Sequence, residues 1–249
     1  MNANLALVLH GLREAFTGRR RYGLVLLGLA PALLALALRR WSEADAQAES
    51  TFIVFVVGVG LVVPLLCLWI GVATLREELV EGTIVHLVTR PVGRSQLLVT
   101  RLVGAALATW LLAGIGLTLV FPATGHVDTT MLSTMWLVTG LASFAYTSLF
   151  ALLGAVTDHP ILAGLAYLVG WEATVASTDL VFRYATVAYW VRSIVDARGL
   201  VTGGLIGGEI SDPSTLSTSI LVLLGIGVLA GIVGAFWFQR REFTGSETA

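Results

Sequence analysis

The chain has 249 residues, 56% of them hydrophobic and 12% charged, with a net charge of −1 and a mean hydropathy of +0.86. Soluble domains carry about 25% charged residues, so the composition defines an integral membrane protein, organised as a single transmembrane domain over 1–249, and the near-neutral charge excludes a basic face for nucleic acid. All 15 basic residues are arginine; without lysine there is no Walker A phosphate loop and no Schiff-base chemistry.

The single cysteine, Cys67, leaves no intrachain disulfide. The four histidines (His10, His86, His126, His159) lie in separate segments. No metal site and no cofactor is therefore expected in this chain.

Residues 2–18 read as an amphipathic helix. Leu5, Val8, Leu9, Leu12 and Phe16 recur at intervals of three and four, while His10, Arg13, Glu14 and Thr17 fall elsewhere. Arg19, Arg20 and Arg21 follow, so the helix is expected to lie on the bilayer surface with its basic end among anionic headgroups.

Six apolar runs come next, placing spans at about 22–38, 52–75, 97–121, 130–156, 160–181 and 214–238. The first is short, about 25 Å at helical rise, and just fits the hydrocarbon. It is not a signal peptide, because a long amphipathic stretch precedes it and further spans follow. Pro64 is expected to kink the second run. The fourth is rich in Ser and Thr, which suggests helix-to-helix contact rather than a wetted face. The fifth starts at Pro160, a good first-turn residue.

Between the second and third runs lies LREELVEGTIVHLVTRPVGRSQLLVTR, Leu75 to Arg101. It holds Glu77, Glu78 and Glu81 together with Arg76, Arg90, Arg94 and Arg101. Val80, Ile84, Leu87 and Val88 form an apolar stripe at helical spacing. Gly82 can bend that helix, Pro91 stops it and Ser95 can cap the next. Two readings remain open on local physics: a solvated connector with an interfacial helix, or a helix docked on a soluble partner.

Glu172, beside Trp171, falls about 18 Å along the fifth run, near mid-membrane, with Asp179 further out. An ionisable residue at that depth faces protein or a water-filled cavity. It is either a pathway residue or a structural hydrogen-bond anchor. From Phe182 to Gly199 the chain is too charged to span and reads as an interfacial helix. The glycine-rich GGLIGGE stretch that follows is no phosphate cradle. Gly227 and Gly231 form one GxxxG pair in the last run.

Arginine placement sets the orientation. With six spans, ten arginines share a side with the N-terminus, the Arg76–Arg101 turn and the C-terminus, against five on the other side. The richer side is cytoplasmic.

Taken together, these features resemble permease subunits of ABC transporters of the type-2 export family. The resemblance rests on REELVEGTIVHLVTRPVGRSQLLVTRLVGA, on GWEATVAS and on the layout of the chain. In the turn, Glu77, Glu78, Gly82, Thr83, Pro91 and Arg94 match the family pattern; Arg101 stands where relatives often have Lys. The resemblance implies an all-α fold with an N-terminal amphipathic helix (Leu5, Leu12, Arg13, Phe16) bracing the partner. It also implies six transmembrane helices, a cytoplasmic coupling helix between spans two and three, and an extracellular helical segment between spans five and six. Glu77, Glu78, Glu81, Gly82, Thr83, Pro91 and Arg94 would dock two cytoplasmic ATPase subunits, which would bind ATP and magnesium. A second permease copy, a homodimer, would complete the pathway, with Trp171, Glu172 and Asp179 near it. The setting would be a prokaryotic cytoplasmic membrane, with both termini inside.

Two other classes compete. A sensor or scaffold of the same architecture would not transport. An intramembrane enzyme using Glu172 and Asp179 lacks any accompanying Ser-His or HExxH signature.

Overall fold

The computed structural model describes residues 20–40, 45–80, 94–175, 181–200 and 214–240. Among the described residues all regular structure is helical. An apolar chain in hydrocarbon has little choice, because a helix satisfies its backbone N–H and C=O groups within its own segment.

Helix α1 spans Arg20–Leu38. Helix α2 (Ala46–Thr51) runs unbroken through a π-helical stretch (Phe52–Val62) into α3 (Val63–Val80). Helix α4 (Arg94–Thr118) is followed by a single turn, α5 (Val120–Thr124). Helix α6 is Thr129–Val156. Helix α7 (Pro160–Ala166) widens into a second π-helical stretch, Tyr167–Ala173. A 3-10 turn (Val181–Ala185), α8 (Val187–Ala197) and α9 (Leu216–Arg240) complete the order.

Five stretches among the described residues are long and apolar enough to cross a bilayer: Arg21–Leu38, Ala46–Ala73, Val99–Thr124, Thr129–Val156 and Leu216–Trp237. The expected fifth span, 160–181, is represented by a shorter apolar helix, Pro160–Ala173. The first described residue after Pro91, Arg94, is already helical, so Ser95 lies within the helix rather than capping it.

Pro64, where a kink is expected, lies two residues past the end of a π-helical stretch. Pro64 offers no N–H, and its ring crowds the carbonyl four residues back, that of Gly60. The helix upstream is π-helical over Phe52–Val62, where bonds run to the fifth residue instead of the fourth.

Helix α6 is the centre of the bundle, packed against α9, α3 and α4. Its Thr134, Thr139, Ser143, Thr147 and Ser148 are all buried, so these five face other helices, while Thr129, Thr130 and Ser133 at its start are exposed. Cys67 of α3 lies in this seam, its thiol donating to the Ser143 carbonyl at 3.8 Å. On the other flank the Trp110 indole Nε1 donates to the Trp136 carbonyl at 3.0 Å, with the two rings edge to face. The Gly227–Gly231 pair is used inside the chain: Gly227 makes room for the Phe144 ring and Gly231 for Leu102.

At one end, Gly125 closes α5 with φ 79°, a conformation that favours glycine. Arg39 Nη1 donates to the Ala123 carbonyl at 3.1 Å, satisfying an end-of-helix acceptor and offsetting the negative pole there. The contact ties the end of α1 to the end of α5.

Helices α1 and α4 cross at Gly28 and Gly116, where a Cβ on Gly116 would collide with the Gly28 carbonyl. Gly116→Val is therefore expected to lower stability by about 1–3 kcal/mol through overpacking. Gly225, with nothing within 4 Å of its missing Cβ, is the control: Gly225→Ala should raise stability by about 0.5–1 kcal/mol through helix propensity. Thermal unfolding of the purified variants in detergent checks both.

Candidate functional site

The regular helix of the fifth segment gives way at the residues around Glu172. This carboxylate is buried, 5% exposed, in a segment of apolar helix. An unpaired carboxylate there would cost several kcal/mol, so it must find donors, and the fold supplies them. Glu172 Oε1 accepts from the Tyr167 hydroxyl at 2.6 Å and from the Val187 backbone N–H at 2.9 Å. Oε2 accepts from the Ala188 N–H at 2.9 Å.

The Tyr167 contact depends on the π-helical stretch. Side chains five residues apart lie about 140° apart around an α-helix. The wider turn of Tyr167–Ala173 brings residues at that separation towards one face. The backbone contacts depend on α8. Its first two N–H groups, those of Val187 and Ala188, have no partner within the helix, and Glu172 takes both. The third, that of Tyr189, goes to the Thr186 hydroxyl at 3.3 Å. The Glu172 charge also meets the positive end of the helix dipole. One side chain thus clasps the end of the fifth segment to the start of α8.

Upstream of α8, the Trp190 indole donates to the Tyr184 carbonyl at 2.8 Å, and the rings of Tyr184, Tyr189 and Trp190 pack mutually. Helix α8 buries Val187, Tyr189, Ile194 and Val195 and rests on α9 and α6. The segment expected at an interface is therefore folded onto the bundle by its apolar face.

The clasp forms part of the wall of a cavity of about 380 Å³. The π-helical stretch and the first turn of α3 contribute Phe55, Val59 and Leu65; α6 contributes Tyr146; the fifth segment contributes Leu168 and Glu172; α8 contributes Val191 and Arg192. Trp171 is not among the lining residues. Burial pulls the Arg192 guanidinium below its ordinary value, opposed by Tyr146, Glu172 and Asp196. Burial likewise raises the Asp196 carboxyl, and Arg192, one turn earlier, draws it back.

The other expected residues divide by position. Glu77 and Glu78 sit in the last turns of α3, and Arg94 opens α4. Glu81, Gly82, Thr83, Pro91, Asp179 and the amphipathic-helix residues Leu5, Leu12, Arg13 and Phe16 lie outside the described residues. Among the described residues no cluster of three or more His, Cys, Asp or Glu could hold a metal. Tyr167, Arg192 and the start of α8 were not expected from the sequence. The available signals were Tyr167 five residues before a mid-membrane Glu, and Thr186 as an N-cap for α8.

Among the described residues the chain is an all-helical bundle with a buried carboxylate clasp and an adjoining apolar cavity. Residues 26–183 match the family described as ABC-2 family transporter protein, which is more than half of the chain, and the protein belongs to that family. A search of curated proteins gave no match.

Removing the clasp should cost stability in a definite order. Glu172→Ala strands the Val187 and Ala188 N–H groups at about 1–3 kcal/mol each. Glu172→Gln keeps one acceptor and should lose less, and Tyr167→Phe should lose about 1 kcal/mol. Thermal unfolding should rank them in that order; equal losses for all three would contradict it.

Proposed function

We propose that the chain is the membrane-spanning permease subunit of an ATP-binding-cassette exporter in a prokaryotic cytoplasmic membrane. Six segments cross the bilayer, the fifth being π-helical around Glu172, and both termini are cytoplasmic. Two such chains form the pathway, and two cytoplasmic ATPase subunits bind ATP and magnesium and supply the work. The observation that carries this reading is the family match over residues 26–183, a range that includes both the charged turn and Glu172.

The backbone supports a mechanism. Helices α2 and α3 with the π-helical stretch between them form one continuous helical rod. Its uncharged run ends at Leu75, yet it continues to Val80, about 7 Å beyond at helical rise. Glu77 and Glu78 ride on that extension. Leu61, which lines the cavity, lies about 24 Å back along the same rod. A push on the carboxylate end by a partner thus moves the cavity wall directly, as a rigid-element shift and not through a chain of side chains. The turn of residues 81–93 would form the rest of the docking surface, with Glu81, Gly82, Thr83 and Pro91 in it. The region of α8 would act as an extracellular lid, held to the pathway by Glu172.

Glu78→Arg, or Ile84→Pro, should abolish ATP-driven flux in vesicles carrying the partner ATPase, while membrane insertion stays normal. The chain purified alone should hydrolyse no ATP; a robust rate without a co-purifying ATPase would overturn the reading. A partnered complex that hydrolyses ATP but moves no substrate would favour a sensor instead.

A further inference from the structure

We propose that Tyr167–Ala173 is a two-state hinge: π-helical while Glu172 clasps α8, and α-helical once the clasp opens, with a different cavity wall in each form. The switch is built from this chain alone; the transport reading supplies only what would drive it.

Side chains hold the π form. A π-helix is rare and occurs mostly as a single turn inside an α-helix, often at functional sites, and this stretch has 7 residues. Two side-chain contacts match the separation of the π bond itself. The Tyr167 hydroxyl reaches Glu172 Oε1, five residues on, at 2.6 Å. The Thr174 hydroxyl donates to the Val169 carbonyl, five residues back, at 3.2 Å. Neither belongs to an α-helix. There Tyr167 and Glu172 would stand about 140° apart, and a threonine hydroxyl bonds the carbonyl three or four residues back. These contacts therefore favour one form of the turn over the other.

The change of form has a defined consequence. A π turn holds one residue more than an α turn. Closing it advances the chain beyond it by one helical position, about 100° and 1.5 Å. The chain before it is fixed: α7 packs on α3 and α6, with Gly164 against Leu68. The turn thus carries Glu172 away from the Val187 and Ala188 N–H groups, and the start of α8 is released.

Space for the change is already present. Leu168, Val169, Glu172 and Ala173 border the cavity, and a Cβ at Gly170 would meet nothing within 4 Å. The opposite wall is π-helical too, since Phe55, Val59 and Leu61 belong to Phe52–Val62. Movement of the rod and closure of the turn therefore act on one shared space.

The test is a spin-label distance measurement on the purified full chain in nanodiscs, without ATPase. Cys67, the one native cysteine, is replaced by serine, and labels are placed at Ala173 and Val127, both exposed. The starting chain should show one dominant separation. Tyr167→Phe and Thr174→Val should each raise the ratio of a second separation about fivefold, the worth of one hydrogen bond, and Glu172→Gln should raise the same one. Deleting Gly170 removes the extra residue and leaves an α turn with Tyr167 and Glu172 four apart. That chain should show a single separation, and Tyr167→Phe should add no second one to it. One unchanged separation in Tyr167→Phe/Thr174→Val and in Glu172→Gln would overturn the proposal. So would a second separation that persists when Gly170 is deleted, because the movement would then not be a change of helix form. If the double variant does not fold, Glu172→Gln and the deletion decide the matter. Partner ATPase with ATP should enrich the second separation in the starting chain. If the variants show it and ATP does not, the hinge stands and the coupling reading falls.

Discussion

A carboxylate buried among apolar helices has to be satisfied by its own fold, and that constraint governs this molecule. Glu172 accepts from the Tyr167 hydroxyl and from two backbone N–H groups. Backbone donors are free only at the start of a helix. A second helix must therefore begin beside Glu172. The π-helical stretch at Tyr167–Ala173, the amphipathic α8 and the adjoining cavity all follow from meeting that demand. Such a clasp is more informative than an ion pair. It ties two backbone elements into one geometry, and a change in either is felt in both.

The second governing feature is continuity. The rod from Ala46 to Val80 carries cavity-lining residues at one level and Glu77 and Glu78 at another. Pro64 softens the rod without breaking it, because the π-helical stretch absorbs the lost hydrogen bond and the crowded carbonyl of Gly60. Helix α6 gives the rod something to move against. Its small and hydroxylated residues allow close approach, and Trp110 and Trp136 lock its opposite flank to α4. Movement of the rod would thus be concentrated where it meets the fifth segment and α8, and not spread through the core.

The helical class and most of the element positions were legible in the sequence. The expected spans 22–38 and 130–156 correspond to Arg20–Leu38 and Thr129–Val156, because uncharged runs bounded by arginine or Asp leave few alternatives. The helix-packing role of the α6 hydroxyls was legible for the same reason: Ser and Thr at helical spacing in lipid have to face protein. The fifth segment was legible only in part. Hydropathy reads each residue against its neighbours, whereas the regular helix gives way at Glu172, whose partners lie fifteen and sixteen residues later. The choice between pathway residue and hydrogen-bond anchor could not be made from sequence. The structure gives Glu172 the anchor's bonds and the cavity's wall together. Arg192 escaped notice because a charged stretch reads as an interface until α8 is seen to turn its apolar face inward.

The most direct test of the clasp is amide hydrogen exchange at the start of α8, measured by mass spectrometry on the chain in nanodiscs. If Glu172 holds the Val187 and Ala188 N–H groups, the peptide covering them is strongly protected in the wild type and loses that protection in Glu172→Ala, while α6 peptides keep theirs. Unchanged protection of that peptide in Glu172→Ala would contradict the account.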